Sequence, residues 1–291
     1  MALRPAMLSK HFMIRAPKSA SEKASAAEAP RSDREMIAGL ARGLSVIRAF
    51  SAGGPFCTLT EIANITALSP AAARRCLHTL EELGYAGRVG RRFFLRPRVL
   101  ELSAAYLDSV NPEALAREYL QEVASASGQS SSLAVLDGQD VIYLARVGAR
   151  RIVRLEASVG TRYPAYATAL GRVLLAGLPE DELADYLGAV ELKPLTRRTI
   201  TDRDKLHKAI EAASEDGYSI VEDELAIGVL SIAVPVANKA GEVVAAINCS
   251  AQTGETSQKA LKQHLPILRE TAARISGALL HFPTLVPVSI R

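Results

Sequence analysis

Ala71, Arg74, Arg75 and His78 fall on one side of any helix that begins at Ser69-Pro70, because residues three and four apart share a helix face. A guanidinium is a planar fork of N–H donors, the shape needed to bond the O6/N7 edge of guanine or to grip a phosphate. An alanine beside two such arginines lets the helix approach closely and can touch a thymine methyl. A second basic group, Arg88, Arg91 and Arg92, surrounds Val89-Gly90-Arg91, where a tight turn is expected. Arginines at a hairpin tip suit phosphate contacts, which set register without reading sequence. Residues 69–98 hold seven arginines against two acids, although the whole chain carries only +4 from 35 basic and 31 acidic side chains. Local concentration rather than total charge therefore points to an anionic, nucleic-acid partner. The plainer alternative for Arg74 and Arg75 is a solvated helix face. His78 reads as a backbone contact or a solvated residue before a base reader, and Arg96 and Arg98 can belong to a linker surface.

A second set of polar groups lies far along the chain. Tyr163, Tyr166, Ser231, Asn248 and Ser250 place hydroxyls and an amide in otherwise apolar, strand-like segments, which suits an acidic or hydroxylated small molecule. Asn248 and Ser250 are two apart and so share a strand face. A helix starting near Tyr166 would aim free N–H groups at a carboxylate, and Arg162 would add a positive charge. Satisfied core polar groups and an ordinary surface arginine are the alternatives. Cys57, Cys76 and Cys249 show no CxxC spacing and no histidine or acid cluster, so no disulfide, metal or cofactor is expected. Cys76 reads as a packed thiol rather than a redox switch. There is no GxSxG elbow and the five histidines are scattered, which argues against a hydrolase.

The elements that must position these groups fall into two blocks. Ile37, Leu40, Leu44, Ile47 and Ser51 recur at i, i+3, i+7, i+10 and i+14, predicting a helix with four large apolar groups on one stripe, stopped by Gly53-Gly54-Pro55. Thr58-Leu59-Thr60-Glu61 is a capping box that opens a short helix at about 59–65. Ser69 as N-cap and Pro70 in the first turn open the next helix, with Ala73, Cys76, Leu77, Leu80 and Leu83 inward and Gly84 ending it. Tyr85–Leu95 then reads as two strands. Helix, turn, arginine-bearing helix and basic hairpin is the order of a winged helix-turn-helix. Residues 98–110 predict a linker helix, with Leu100, Tyr106 and Leu107 available to pack as a dimer spacer.

Beyond Pro112, strands and helices alternate. SSLAVL and DVIYLARV flank Asp137-Gly138, IVRLEA is a third strand, and AYATALGRVLLAGL and DRDKLHKAIEAASEDG are helical. LSIAVPVANKAGEVVAAINCSA gives two strands around Lys239-Ala240-Gly241. A final helix from about Ser257 carries Leu261, Leu265, Leu268, Ala272, Ile275 and Leu279 on one face. The expected class is α+β. A length of 291 residues suits two domains and a tail. The first 34 residues are expected to be disordered, with no signal peptide, and no apolar run is long enough to span a membrane, so a cytoplasmic protein is expected.

These residues together resemble the IclR-type bacterial transcriptional regulators from about residue 35 to 282. The matching stretches are ARGLSVIRAF, SPAAARRCLHTLEELGYA, VGTRYPAYATALGRVLLAGL, DGYSIVEDEL and SIAVPVANKAGEVVAAINCS. VGTRYPAYATALGRVLLA, TRRTITD and VEDELAIGVLSIAVPV look most like the branch that controls protocatechuate, 4-hydroxybenzoate and β-ketoadipate catabolism. The resemblance implies a basic tail at 1–34, a winged helix-turn-helix at 35–97, a linker helix at 98–111, a GAF/profilin-like effector-binding domain at 112–282 and a C-terminal tail at 283–291. It implies DNA contacts from Ser69, Ala71, Arg74, Arg75, His78, Arg88, Arg91 and Arg92. Effector contacts carried over residue by residue are Gly160, Thr161, Tyr163, Ala165, Glu222, Asp223, Ser231, Asn248 and Ser250. Val221 stands where many members have an acid, which makes glyoxylate or pyruvate less favoured as ligand. The implied partners are a double-stranded DNA operator, a small organic acid such as an aromatic acid or β-ketoadipate, and a second copy of the chain in a homodimer or dimer of dimers. A regulator of a different carbon-source pathway, a hydrolase on the second domain and a pure scaffold are the competing functions.

Overall fold

The computed structural model describes residues 36–102, 104, 112–148, 157–279 and 289–290. The expected tail at 1–34, most of the IVRLEA strand, and Tyr106 and Leu107 of the linker helix lie outside the described residues. The chain divides into two compact units, residues 1–99 and 100–291.

The first unit runs α1 (Ala38–Gly53), β1 (Cys57–Thr58), α2 (Leu59–Thr66), α3 (Pro70–Glu82), β2 (Ala86–Val89) and β3 (Arg92–Leu95). The capping box forms as read: the Thr58 hydroxyl accepts from the Glu61 N–H, and the Glu61 carboxylate accepts the Thr58 N–H at 2.7 Å. Those bonds hold the Glu61 carboxyl below its usual range. Ser69 caps α3 through the Ala72 N–H at 3.2 Å, with Pro70 following. Strands β1, β3 and β2 pair antiparallel in that order, and β1 is an element that the sequence pattern did not reveal. The core gathers Val46, Ala49, Phe50, Ile62, Leu77, Leu80 and Phe93.

The expected stripe of α1 divides between core and solvent, and one expected face, that of α3, is corrected. Ile37, Leu40 and Leu44 are 70%, 61% and 48% exposed; the buried face of α1 is Val46, Ala49 and Phe50, because only the C-terminal half of α1 lies over the core of its own unit. Leu83 is exposed rather than inward and Ala72 is buried instead, because the chain leaves the helix at Leu83 and turns back through Gly84 at φ +79°.

The second unit is built on a six-stranded antiparallel sheet. Its strands are β4 (Ser130–Asp137), β5 (Asp140–Val147), β6 (Arg162–Pro164), β7 (Ser219–Glu222), β8 (Val229–Ala237) and β9 (Val243–Gln252), ordered β6-β5-β4-β9-β8-β7. One face packs on α4 (Pro112–Ser127) and on α8 (Gln258–Lys262) and α9 (Leu265–Leu279), into which the single expected C-terminal helix divides. The other face packs on α5 (Ala169–Leu175), α6 (Glu180–Ala189) and α7 (Arg203–Asp216). Ile290 of the expected C-terminal tail also packs there, its N–H held by Glu182 at 2.9 Å.

The stretch after Pro164 is not one helix. A 3-10 turn at Ala165–Ala167 ends in extended Thr168, and α5 starts only at Ala169, with the Thr168 hydroxyl taking the Gly171 N–H at 2.9 Å. That fold-back brings Gly171 onto the Ala165 backbone, where a Cβ would lie 2.1 Å from the Ala165 carbonyl oxygen. Behind it a buried ion pair, Arg172 Nη2 to Glu224 Oε2 at 2.5 Å, ties α5 to the loop after β7. Gly171→Ala is expected to destabilise the second unit by about 1–3 kcal/mol, as overpacking against backbone does. Gly188→Ala, which meets open space on α6, is expected to leave stability unchanged or raise it. Urea midpoints of the two variants check this; equal midpoints would refute the close approach.

Candidate nucleic-acid face and candidate ligand pocket

Helix α3 buries Ala72, Ala73, Leu77 and Leu80 and leaves Ala71, Arg74, Arg75 and His78 exposed on the opposite side. Thr79 turns inward on its own helix, donating to the Arg75 carbonyl at 3.0 Å. Cys76, half-buried, packs against the core, in keeping with a structural thiol. The Ser69 hydroxyl accepts the helix cap bond and so is held at the N-terminal end of this face.

The three hairpin arginines differ. Arg88 leans back onto α3, 3.7 Å from Glu81, and lies over the Phe93 ring, so it braces the hairpin against the helix. Arg92, paired with Thr58, helps lower the Glu61 carboxyl after the larger effect of the Thr58 bonds. Arg91 is exposed at the tip beside Gly90, whose φ of +60° makes the turn. Arg98 belongs to neither group: it donates to the Leu83 carbonyl at 3.0 Å and lies over Tyr85, capping the end of α3.

In the second unit a pocket of about 410 Å³, its open mouth included, lies between the sheet and the start of α5. Tyr143 and Arg146 from β5, Ser231 and Val229 from β8, Asn248 and Ser250 from β9, residues 167–170, Val221 and Leu225 line it. Strand register explains the assembly. Arg146 pairs with Ser132, and Ser132 with Asn248, forming one line across three strands; Ser250 pairs with Ser231, and Ser231 with Val221, forming the next. Arg146 Nη1 donates to the Ser132 hydroxyl at 3.2 Å. Arg146 is the charged residue among the described lining residues. Burial pushes the Tyr143 phenol up to about 12, against the pull of Arg146, so the hydroxyl stays protonated at the pocket wall.

Ser231, Asn248 and Ser250 thus meet at one site; the other carried-over residues do not line it. Gly160, at φ +83°, and Thr161, whose hydroxyl takes the Ser158 N–H at 2.9 Å, build the turn that leads into β6. Tyr163 lies edge-on to Tyr143 and stands behind the wall. Ala165 is fully buried under Gly171. Glu222 is held by Gln258 and Arg198, and Asp223 closes its own loop by accepting from the Gly228 N–H and the Thr253 hydroxyl. Tyr166 is likewise occupied, exchanging hydrogen bonds with the Lys193 backbone. Arg162 is paired with Asp137 and Asp140 at the sheet edge, far from the anion-binding role expected of it. The cation at the pocket is Arg146, which the sequence reading passed over. Val221, in place of an acid, does line the pocket and makes that side apolar.

Among the described residues there is no group of His, Cys, Asp and Glu able to hold a metal, and no helix long and apolar enough to cross a membrane. Residues 39–90 match the IclR helix-turn-helix domain, and residues 104–277 match the bacterial transcriptional regulator IclR C-terminal domain. The Pca regulon regulatory protein of Pseudomonas putida is 40% identical over 238 residues, 81% of this chain and 82% of that protein. The p-hydroxybenzoate hydroxylase transcriptional activator of Acinetobacter baylyi is 35% identical over 244 residues, 82% of this chain and 90% of its own length. The crystal structure of an IclR homolog from Microbacterium hydrocarbonoxydans, complexed with 4-hydroxybenzoate, superposes with a TM-score of 0.69 at 25% identity, covering 84% of this chain and 99% of that one. The expected likeness to the Pca and p-hydroxybenzoate branch is borne out by these identities. With both of its units matched, the chain belongs to the IclR family of bacterial transcriptional regulators.

Proposed function

We propose that this regulator reads its operator through α3 and the β2–β3 hairpin and answers to a small organic acid bound on the sheet of its second unit. The single observation that carries the effector half is the line Arg146–Ser132–Asn248 across β5, β4 and β9, whose two ends, Arg146 and Asn248, line the pocket. A guanidinium beside hydroxyls on a largely apolar wall favours one anionic group on an otherwise apolar ligand. The names of the P. putida and A. baylyi relatives, and the 4-hydroxybenzoate in the M. hydrocarbonoxydans structure, favour an aromatic acid of the protocatechuate pathway.

On the DNA side Arg74 and Arg75 take base edges or phosphates, Ala71 permits close approach, and Ser69 and His78 flank them. Arg91 and Arg92 take phosphate while Arg88 holds the hairpin to the helix. The exposed apolar run of Met36 and Ile37, just before α1, and Leu40 and Leu44 on it supports a homodimer, since a second copy of the same run would cover it. Units at 35–97 and 112–282 joined by a linker at 98–111 remain the domain reading.

Replacing Arg74 and Arg75 by alanine is expected to abolish operator protection in footprinting. Arg91→Ala should retain protection but reduce the salt dependence by about one unit of slope. An unchanged footprint or slope contradicts the respective role. Arg146→Met is expected to weaken binding of 4-hydroxybenzoate or protocatechuate by about tenfold or more in calorimetry, the scale of a lost charge-assisted hydrogen bond; unchanged affinity would put the acid elsewhere. Leu40→Asp is expected to shift sedimentation toward the monomer, and an unaltered sedimentation coefficient would exclude that face.

A further inference from the structure

Asn248 stands at the centre of the polar line and is 3% exposed. Its Nδ2 donates to the Ser231 hydroxyl at 3.0 Å, and that hydroxyl donates onward to the Cys249 carbonyl at 3.4 Å. The chain of bonds sets which end of the amide faces Ser231. Oδ1 is left fully covered and without a hydrogen-bond donor. Buried acceptors in that condition are rare, because the group has lost water and gained nothing in return. The neighbours are engaged otherwise. The Thr168 hydroxyl donates to the Ala165 carbonyl while accepting the Gly171 N–H, the Ser131 hydroxyl, on the other face, donates to the Asn248 carbonyl, and the Ser132 hydroxyl, whose oxygen accepts from Arg146, makes no hydrogen bond to Oδ1.

An amide oxygen accepts only, so neither a carboxylate nor an ether oxygen can satisfy it; an O–H or N–H is required. We infer that Asn248 is a specificity-determining residue of the effector pocket, its Oδ1 accepting the hydroxyl proton of the ligand, so that hydroxy acids are selected over acids of the same shape without a donor. This rests on the reading of the pocket as the effector site. The register supplies the spacing. Arg146 and Asn248 stand two strands apart, about 10 Å between backbones at roughly 4.8 Å per strand, a span shortened by both side chains. One aromatic ring with a carboxylate at the Arg146 end and a hydroxyl toward Asn248 fills such an interval, with Tyr143, Leu170, Leu225 and Val229 as apolar walls. A site built to bond a hydroxyl rejects an analogue that lacks it far more strongly than an apolar slot rejects a change of one methylene.

The test is calorimetric titration of 4-hydroxybenzoate, benzoate and 4-methoxybenzoate into the full chain and into Asn248→Leu and Asn248→Ala. The wild type is expected to bind 4-hydroxybenzoate at least about tenfold more tightly than the other two, and both variants to lose that preference. If a variant does not fold, as thermal melting would reveal, the wild-type comparison still decides, since benzoate lacks the donor without added bulk and 4-methoxybenzoate keeps the oxygen without its proton. Equal wild-type affinity for 4-hydroxybenzoate and 4-methoxybenzoate overturns the inference alone. So does a preference that survives in folded Asn248→Ala. Failure of all three acids to bind the wild type overturns the inference together with the effector-site reading beneath it.

Discussion

A one-residue irregularity in the β4–β5 ladder decides what the second unit can recognise. Leu133 pairs with Ala145 but Ala134 pairs with Tyr143, so Leu144 is the extra residue of a bulge. In a regular strand Tyr143 and Arg146, three apart, would point to opposite faces. The bulge turns both toward α5, while Leu144, Ala145 and Val147 all face the α4/α9 core. Without it the guanidinium would enter an apolar layer, where an unpaired charge is not tolerated. A register slip anywhere between β5 and β9 would likewise invert the polar line and the hydrophobic layer behind it, so the two cores fix the register as firmly as the ladder itself does. Bulges commonly serve this purpose of re-aiming a side chain next to a functional site.

The same irregularity explains what the sequence concealed. Period-two reading of DVIYLARV leaves Arg146 with no face of its own, and nothing in that string marks Leu144 as the residue to skip. Asn248 and Ser250 were legible because β9 is regular through that stretch and its partner register is unbroken there. Loop residues fared differently. Glu222 and Asp223 look like ligand-seeking acids in the string VEDEL, yet Arg198, Gln258, Gly228 and Thr253 consume them, and those partners lie 24 to 36 residues away or are backbone groups. The first unit was more readable because its signals are local: a capping box, a Ser-Pro start and a glycine stop each act within a few residues. Its α1 stripe was legible as a pattern but not as a contact, since periodicity identifies an apolar stripe without saying which copy of which element covers it.

Charge in the first unit is divided between architecture and contact in a way that composition hides. Of the arginines between residues 74 and 98, Arg88 and Arg98 are spent on Glu81, Phe93, Leu83 and Tyr85, bonds that fix the hairpin and the end of α3 relative to each other. Arg74, Arg75 and Arg91 are exposed on surfaces whose geometry those bonds set. Exposed pairs such as Arg88–Glu81 contribute little stability individually. Their effect is on orientation: a hairpin that swings freely relative to α3 cannot present its tip and the helix face at a fixed separation.

Two buried polar arrangements flank the ligand pocket, one a pair of opposite charges and the other a neutral amide, and each keeps one covered atom, Arg172 Nε and Asn248 Oδ1, without a partner. Arg172 and Glu224 neutralise each other at 2.5 Å, and the Glu224 carboxylate also accepts the Ile200 N–H, while its backbone carbonyl takes the Thr199 hydroxyl. Removing one partner from such a pair strands a buried charge, a cost of about 3–5 kcal/mol borne by folding. Asn248 is held by one end only, with its other end unpaired. Removing its side chain forfeits one neutral hydrogen bond and relieves an unsatisfied acceptor, so the net cost to folding is small. The ion pair therefore belongs to the scaffold that holds Leu225 and the start of α5 around the pocket. The half-satisfied amide is where the free protein has kept an interaction in reserve, and a ligand that completes it gains affinity without the fold having to supply the difference.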